Sequence, residues 1–249
     1  MIKRNYYKVV RIFPDPSSYF YIKNETMNDG MIRVDSDWAS TVNLEYSFDK
    51  VNWTNVNSSN SFYIYPPGDG YVYFRNSSGT YGTSNSLDKI TCEFTLSIGG
   101  DVRTLFNYTD VDSVTTIPAY GLRRIISNYF SGLYTVDISN LSFRGITSIG
   151  DHGLYECFGV CNFNGTKGVD LRDVTTIGNN ALQYMYNNCS NLTEVYAPNV
   201  STWDIDKSQG WLNSVAPTGV VYKPSTLTIP TDTGSGIPYN WTTQDYPTI

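Results

Sequence analysis

Short runs of alternating apolar and polar residues fill the first half of the chain, and turn residues separate them. Tyr19-Phe-Tyr-Ile22 and Met31-Ile-Arg-Val34 flank the polar turn Asn28-Asp-Gly30. In Thr41-Val-Asn-Leu-Glu-Tyr-Ser-Phe48, Val42, Leu44, Tyr46 and Phe48 fall on one face, and Asp49-Lys50 turns the chain into Val51-Asn-Trp53. Ser61-Phe-Tyr-Ile-Tyr65 and Tyr71-Val-Tyr-Phe74 flank Pro66-Pro-Gly-Asp-Gly70. Residues 76–86 are polar and glycine-containing and read as a loop. The run from Lys89 to Ile98 places Ile90, Cys92, Phe94, Leu96 and Ile98 at alternate positions, which predicts one strand with one buried face. Short strands with frequent turns predict a small β-sandwich-like domain over residues 19–100. Ahead of it, residues 1–18 read as an arm that Phe13-Pro-Asp-Pro16 ends, because proline interrupts a ladder.

Beyond Gly99-Gly100 the pattern becomes a degenerate repeat. Val114-Thr-Thr-Ile-Pro-Ala-Tyr-Gly-Leu122, Ile146-Thr-Ser-Ile-Gly-Asp-His-Gly-Leu154 and Val174-Thr-Thr-Ile-Gly-Asn-Asn-Ala-Leu182 echo one another, and Cys161 and Cys189 follow at equivalent places. A period of about 30 residues predicts stacked supersecondary units. Each unit reads as a strand (Tyr134–Ile138, Gly168–Leu171, Thr193–Tyr196), a Thr/Ser-Ile turn and a short helical segment. The helical segments are expected at Leu122–Tyr129, Leu154–Gly159 and Ala181–Asn187. In the last, Leu182, Met185 and Tyr186 form an i, i+3, i+4 stripe that reads as core packing. The predicted organisation is a mainly β chain: arm 1–18, β-sandwich-like domain 19–100, solenoid 101–200 and, over 201–249, an irregular cap rich in Trp and Pro that departs from the period.

Composition agrees with the β reading: 21 Tyr and a 15% aromatic share favour pleated surfaces. The net charge of −6 lacks the basic footprint that nucleic acid demands, so no nucleic-acid partner is expected. Lys3, Arg4, Lys8 and Arg11 precede the first acid, so the remainder of the chain carries −10. A basic arm on an acidic body can dock on an acidic partner, or can simply be a strand with solvated charges. No apolar stretch approaches a membrane span, and no leader pattern is visible at the start. The four Cys are accordingly expected to be reduced, and the sequons to reflect an Asn/Thr/Ser-rich composition.

The segment Val174–Val195, with its pattern V-T-x-I-G-x-x-A-L-x-x-M-Y-x-x-C-x-x-L-T-x-V, resembles the BspA-type leucine-rich repeat. Trp211–Val220 and Gly236–Trp241 resemble the closing segment of such arrays. Leu44–Trp53 and Ser97–Leu105 resemble segments that precede these repeats in virion structural proteins of gut-bacterial, crAss-like phages. The first repeat departs from the pattern with Pro118 for Gly and Tyr129 for Cys, and the second ends in Asn162-Phe-Asn rather than a Leu. The resemblance implies a short leucine-rich-repeat-like solenoid in a bacteriophage structural protein. The expected function is that of a head fibre or decoration protein, located on the virion after assembly in the host cytoplasm, with the repeats exposed for adhesion. Its expected partners are capsid or portal-vertex proteins, a host surface glycan or protein, and copies of itself, a homotrimer by carry-over from fibres in general. A bacterial surface adhesin with the same repeats, and a carbohydrate-binding module, stand as alternatives.

Catalytic signatures are sparse. His152 is the only His, which leaves no second His for a triad or a His-rich metal site. His152, Cys157, Cys161 and Cys189 offer a Cys3His donor set on paper, but the equivalent repeat positions of Cys161 and Cys189 are explained by burial alone. Most acids sit in turns (Asp29, Asp49, Asp69) or between repeats (Asp137, Asp170, Asp173). Neither an enzyme nor a cofactor is expected. Tyr63, Tyr65, Tyr71, Tyr73 and Trp53 read as sandwich core, a sugar-stacking face or a subunit interface. The candidate virion-anchoring residues are Lys3, Arg4, Tyr6, Tyr7, Lys8, Arg11 and Phe13, which offer charge and apolar area together.

Overall fold

A computed structural model describes residues 19–26, 30–35, 43–56, 62–76, 90–127, 135–159, 162–232 and 234–247. Among the described residues the protein is mainly β, with several sheets and no barrel. Its first strands are β1 (Phe20–Asn24), β2 (Ile32–Val34), β3 (Leu44–Ser47), β4 (Thr54–Asn55), β5 (Phe62–Ile64), β6 (Tyr71–Asn76), β7 (Ile90–Cys92) and β8 (Leu96–Asp101). They are followed by β9 (Thr116–Ile117), β10 (Ile126–Ser127), β11 (Thr135–Ser142), β12 (Ser148–Ile149) and β13 (Asn162–Phe163). The last are β14 (Lys167–Asp170), β15 (Thr176–Ile177), β16 (Glu194–Tyr196), β17 (Gly219–Lys223) and β18 (Trp241–Asp245).

Two sheets organise the front. One runs β13-β11-β8-β1-β6-β3-β4 and the other β10-β7-β2-β5. Their inward residues, among them Ile22, Phe74 and Ile98 from the first and Ile32, Ile64 and Ile90 from the second, join one buried apolar cluster. The period of two places them there. Ile90, Cys92, Phe94, Leu96 and Ile98 are all buried as expected, yet they do not share one strand. The chain bends at 93–95, so β7 belongs to the small sheet and β8 to the large one. Alternation reports which side faces the core, and the core lies between both sheets, so the crossing leaves no trace in the pattern. The other departure is at β3. Phe48 lies just past the strand and is 39% exposed, while Ser47 is buried. Ser47 Oγ donates to Asp49 and accepts from the Asp49 and Lys50 amides, so it is held by the turn. The return strand begins at Thr54, one residue past the expected Val51–Trp53.

Gly99 and Gly100, expected to punctuate a border, lie inside β8. Gly100 has φ +80, and a Cβ there would lie 2.0 Å from the Tyr19 carbonyl oxygen, so only glycine fits. On its far side β8 pairs in parallel with β11, and the sheet runs on into the repeats. There β9, β12 and β15 form a parallel sheet in which Thr116, Ser148 and Thr176 share one row. The Thr/Ser-Ile pairs are thus short strands rather than turns. A second parallel sheet runs β14-β16-β17-β18.

The three segments expected to be helical are ribbons of successive turns. Gly153, Tyr155 and Cys157 donate to carbonyls three residues back, and the amides between them, on His152, Leu154 and Glu156, donate to Asn179, Ala181 and Gln183 of the next unit. The same alternation runs from Tyr120 to Ile125 and from Ala181 to Cys189. Every fourth residue has positive φ: Tyr120 and Arg124, His152 and Glu156, and Asn180, Tyr184 and Asn188. Burial follows the same period of four, with Ala181-Leu182, Met185-Tyr186 and Cys189 inside and Gln183-Tyr184 half-buried. Leu182, Met185 and Tyr186 are therefore core residues, but a two-in, two-out ribbon places them there. Its spacing imitates the helical one. Part of the first segment, from 128, lies outside the described residues.

The described residues between 201 and 247 continue the backbone bonding seen before them. The turns at 207–214 receive amides from Leu182, Tyr184, Tyr186 and Asn188, and Gly210 and Ser214 repeat the positive φ of Tyr184 and Asn188. Two further strands, β17 and β18, extend the parallel ladder. Side-chain bonds replace the lost sequence period: the indoles of Trp203, Trp211 and Trp241 donate to Ser235, Gly236 and Ala216 carbonyls, each at 2.8 Å.

Candidate functional site

The structure divides the five aromatic residues singled out in the sequence into three settings. Tyr71 and Tyr73 project from the outward face of the large sheet, as β6 alternation requires, beside Tyr21 of β1. Their rings are taken up by neighbours. Tyr71 and Tyr73 stack at 5.8 Å and 7°, Lys50 Nζ lies 4.6 Å from the Tyr73 ring centre, and Lys23 Nζ 5.4 Å from that of Tyr71. The hydroxyl end of Tyr21 lies over Gly99, where a Cβ would come within 2.3 Å of it. Burial, then the nearby Tyr71, Tyr73, Asp137 and Glu25, push the Tyr21 phenol up to about 12. Lys23 bonds Glu25 at 2.7 Å, and Ser97 bonds the other oxygen at 2.6 Å. Burial raises the Glu25 pKa, but these two bonds outweigh it and hold the carboxyl below its ordinary value.

Trp53 also has a structural partner. The Arg75 guanidinium sits 4.0 Å from the ring centres of both Trp53 and Tyr108, and its Nε bonds Glu45 at 2.7 Å. This stack closes the end of the large sheet.

Tyr63 and Tyr65 differ from these. They flank Ile64 on β5, so both point away from the core, and they are 48% and 63% exposed. The antiparallel register sets Tyr63 opposite Arg33, and Arg33 opposite Thr91. One step along, the Glu93 amide donates to the Met31 carbonyl at 3.2 Å. Ile32 and Val34, and Ile90 and Cys92, face inward; Met31, Arg33 and Glu93 have the opposite parity and are half-buried, whereas Thr91, of the same parity, is buried at 5% exposed. The register gives the row Tyr63, Arg33, Thr91 on the small sheet, and Tyr65 lies one residue past β5. A shallow hollow is lined by Met31, Arg33, Tyr63, Thr91 and Glu93. This face joins the exposed rings of Tyr63 and Tyr65 with the half-buried Arg33 and Glu93 around a shallow hollow. It suits binding at a surface rather than enclosure of a small molecule. The sequence reading named the two tyrosines but not Arg33, Thr91, Met31 or Glu93. Their outward parity was readable in the alternation; their side-by-side placement needed the strand register.

The remaining candidates do not converge. Cys157 and Cys189 are buried in the core, and the Cys189 thiol donates to the Phe158 carbonyl at 3.5 Å. His152 is half-buried on the outer side of the ribbon, stacked on Tyr120 at 4.9 Å, with Nε2 3.3 Å from the Asn180 amide nitrogen. Cys161 lies outside the described residues. Among the described residues, no three or more His, Cys, Asp or Glu side chains are placed to hold a metal ion. Asp49 accepts from the Val51 and Asn52 amides, and Asp170 holds Arg172 through two oxygens; both serve local structure. Asp29 and the proposed anchoring residues Lys3, Arg4, Tyr6, Tyr7, Lys8, Arg11 and Phe13 lie outside the described residues.

Among the described residues, no helix is long and apolar enough to cross a membrane. Comparison of the chain with family models, with curated proteins and with solved structures returns no match.

Proposed function

We propose that this chain is a non-enzymatic attachment protein of a phage particle, a head fibre or decoration protein. In this reading its arm joins it to other virion proteins, and its β-sandwich-like front and short leucine-rich-repeat-like solenoid form a rigid body that meets the host surface. The supporting observation is the stacking of repeated units in fixed register. Alternate amides of each turn ribbon bond the next unit, so the backbone polar groups are spent internally and the outer side chains are held as a continuous surface. The likeness of Val174–Val195 to BspA-type repeats, and of the front to segments of phage virion proteins, supplies the particle.

Mass spectrometry of purified virions tests this reading. The protein should copurify with particles at a fixed ratio to the capsid protein. Absence from virions together with presence on cell envelopes overturns it in favour of a bacterial surface adhesin. Light scattering of the purified chain reads the proposed homotrimer, and a monomer at micromolar concentration removes that part.

A further inference from the structure

We propose that in the free chain the basic arm, residues 1–18, docks on its own body, in the open hollow that Tyr19, Tyr108, Val111, Asp110 and Asp112 line. The inference goes beyond the attachment reading and does not rest on it, since it concerns where the arm is held before any partner takes it.

The hollow lies where the arm begins. Tyr19 is the first described residue, and eighteen residues precede it. A parallel bridge to Asp101 fixes its backbone, and its ring meets Trp53 at 4.7 Å and Tyr108 at 6.3 Å. Tyr19 is itself a wall of the hollow, which offers about 460 Å³ beside Tyr108, Val111 and the two carboxylates. Arg11 precedes Tyr19 by eight residues and Phe13 by six. At about 3.3 Å per residue, tethers of about 26 Å and 20 Å are more than enough for both to return to the rim. Pro14 and Pro16 interrupt any ladder that would carry the arm on in line with β1.

The charges at this rim are not balanced by the body. Arg103 is spent on Asp101, to which it donates three side-chain bonds, and Arg75, over the Tyr108 ring, is spent on Glu45 at 2.7 Å. Asp110 and Asp112 remain in excess. Asp112 lies 3.3 Å from Arg103 Nη1, yet its side chain is 96% exposed. Asp110 is exposed, and among the described residues its carboxylate makes no hydrogen bond or ion pair. Two uncompensated carboxylates thus stand where a segment with Lys3, Arg4, Lys8 and Arg11 ahead of its first acid enters the fold. Tyr19, Tyr108 and Val111 add apolar surface to which Tyr6, Tyr7 and Phe13 are suited.

The tether selects this occupant over others. An exposed ion pair is weak alone, but a segment joined at the rim meets the hollow at an effective concentration near the millimolar range. A foreign basic segment has to displace it, and an anionic partner is repelled by the carboxylates. A virion protein that captures the arm then competes with the body for the same cations.

Tryptic cleavage of the full chain after Lys8 and Arg11, read as initial rates by mass spectrometry, tests the proposal. A synthetic peptide of residues 1–16 in the same buffer gives the rate for an undocked arm. At low salt the chain should be cut about tenfold more slowly than the peptide, because cleavage follows the undocked population. Asp110→Asn with Asp112→Asn should bring the two rates within about twofold, and about 0.5 M sodium chloride should do the same in the unaltered chain. Asp206→Asn, an exposed acid of the C-terminal units, should leave the protection intact. An unchanged urea midpoint identifies a folded variant, and the salt comparison needs no variant. Equal rates in chain and peptide at low salt overturn the proposal. Protection that survives both the double variant and high salt overturns it as well, since the arm is then held elsewhere. Protection that rises with protein concentration overturns it in favour of arm exchange between copies.

Discussion

Replacing Tyr184 by glycine or by alanine should give opposite orders of stability in a turn ribbon and in a helix. Tyr184 is the third residue of the turn closed by the Met185 amide on the Leu182 carbonyl, and its φ is +54. Both variants lose the contact with Tyr155 and the packing over Gly210, so those losses cancel in the comparison. What remains is backbone. An L residue held at left-handed φ costs about 1–2 kcal/mol relative to glycine. Glycine gives back about 0.4–1 kcal/mol through the greater freedom of its unfolded chain. The glycine variant should therefore be the more stable by about 0.8 kcal/mol. In a helical segment the order reverses, with alanine ahead by about 0.8–1 kcal/mol. The two structures thus differ by about 1.7 kcal/mol in one measurement, well above the error of paired melts. Urea unfolding of the two proteins, with matched m-values, reads the difference directly. The same pair at Glu156, with φ +50, repeats the test in the preceding unit. An alanine variant equal to or more stable than the glycine variant at both sites would refute the ribbon.

Tyr186 is fully buried and its hydroxyl accepts the Val169 amide at 2.9 Å, a donor that β14 does not satisfy within its sheet; Tyr186→Phe should cost about 1–3 kcal/mol in urea unfolding, and a neutral result would show that water replaces the phenol. Arg103 holds the nearly buried Asp101 through three side-chain bonds where β8 meets β11, so Arg103→Ala should cost about 3–5 kcal/mol, and a loss below about 1 kcal/mol would deny the pair its role. Burial raises the phenols of Tyr21 and Tyr196 to about 12 and that of Tyr186 well above its ordinary value. The folded chain therefore keeps these protons better than the unfolded one. The associated stability is fully present below about pH 10 and is lost as pH rises toward 12, so urea midpoints should fall from about pH 10 upward. A midpoint unchanged up to pH 11 contradicts this. Deleting residues 2–13 should leave a soluble, folded body that no longer enters virions; normal incorporation, or failure to fold, removes the arm as a detachable anchor.

Alternation, repeat echoes and turn residues determined a good deal. They placed β1, β2, β5 and β6 and put Ile90, Cys92, Phe94, Leu96 and Ile98 inside, because burial parity is a property of the chain itself. The departures share a cause, which is that a one-dimensional pattern reports burial and not the partner that satisfies the backbone. Leu182, Met185 and Tyr186 are spaced alike in a helix and in a four-residue ribbon. Only the carbonyls of Lys207, Gln209 and Trp211 in the next unit make the ribbon and its left-handed residues affordable. The run from Lys89 to Ile98 alternates without interruption through a change of sheet, since its inward side chains reach the same core from both. Beyond 201 the sequence loses the repeat, yet the turns at 207–214 still accept the amides of Leu182, Tyr184, Tyr186 and Asn188, and three tryptophan indoles bond to backbone carbonyls there. The row of Tyr63, Arg33 and Thr91 follows the same rule. The parity of each residue belongs to its own strand, and only the register of three strands sets them side by side.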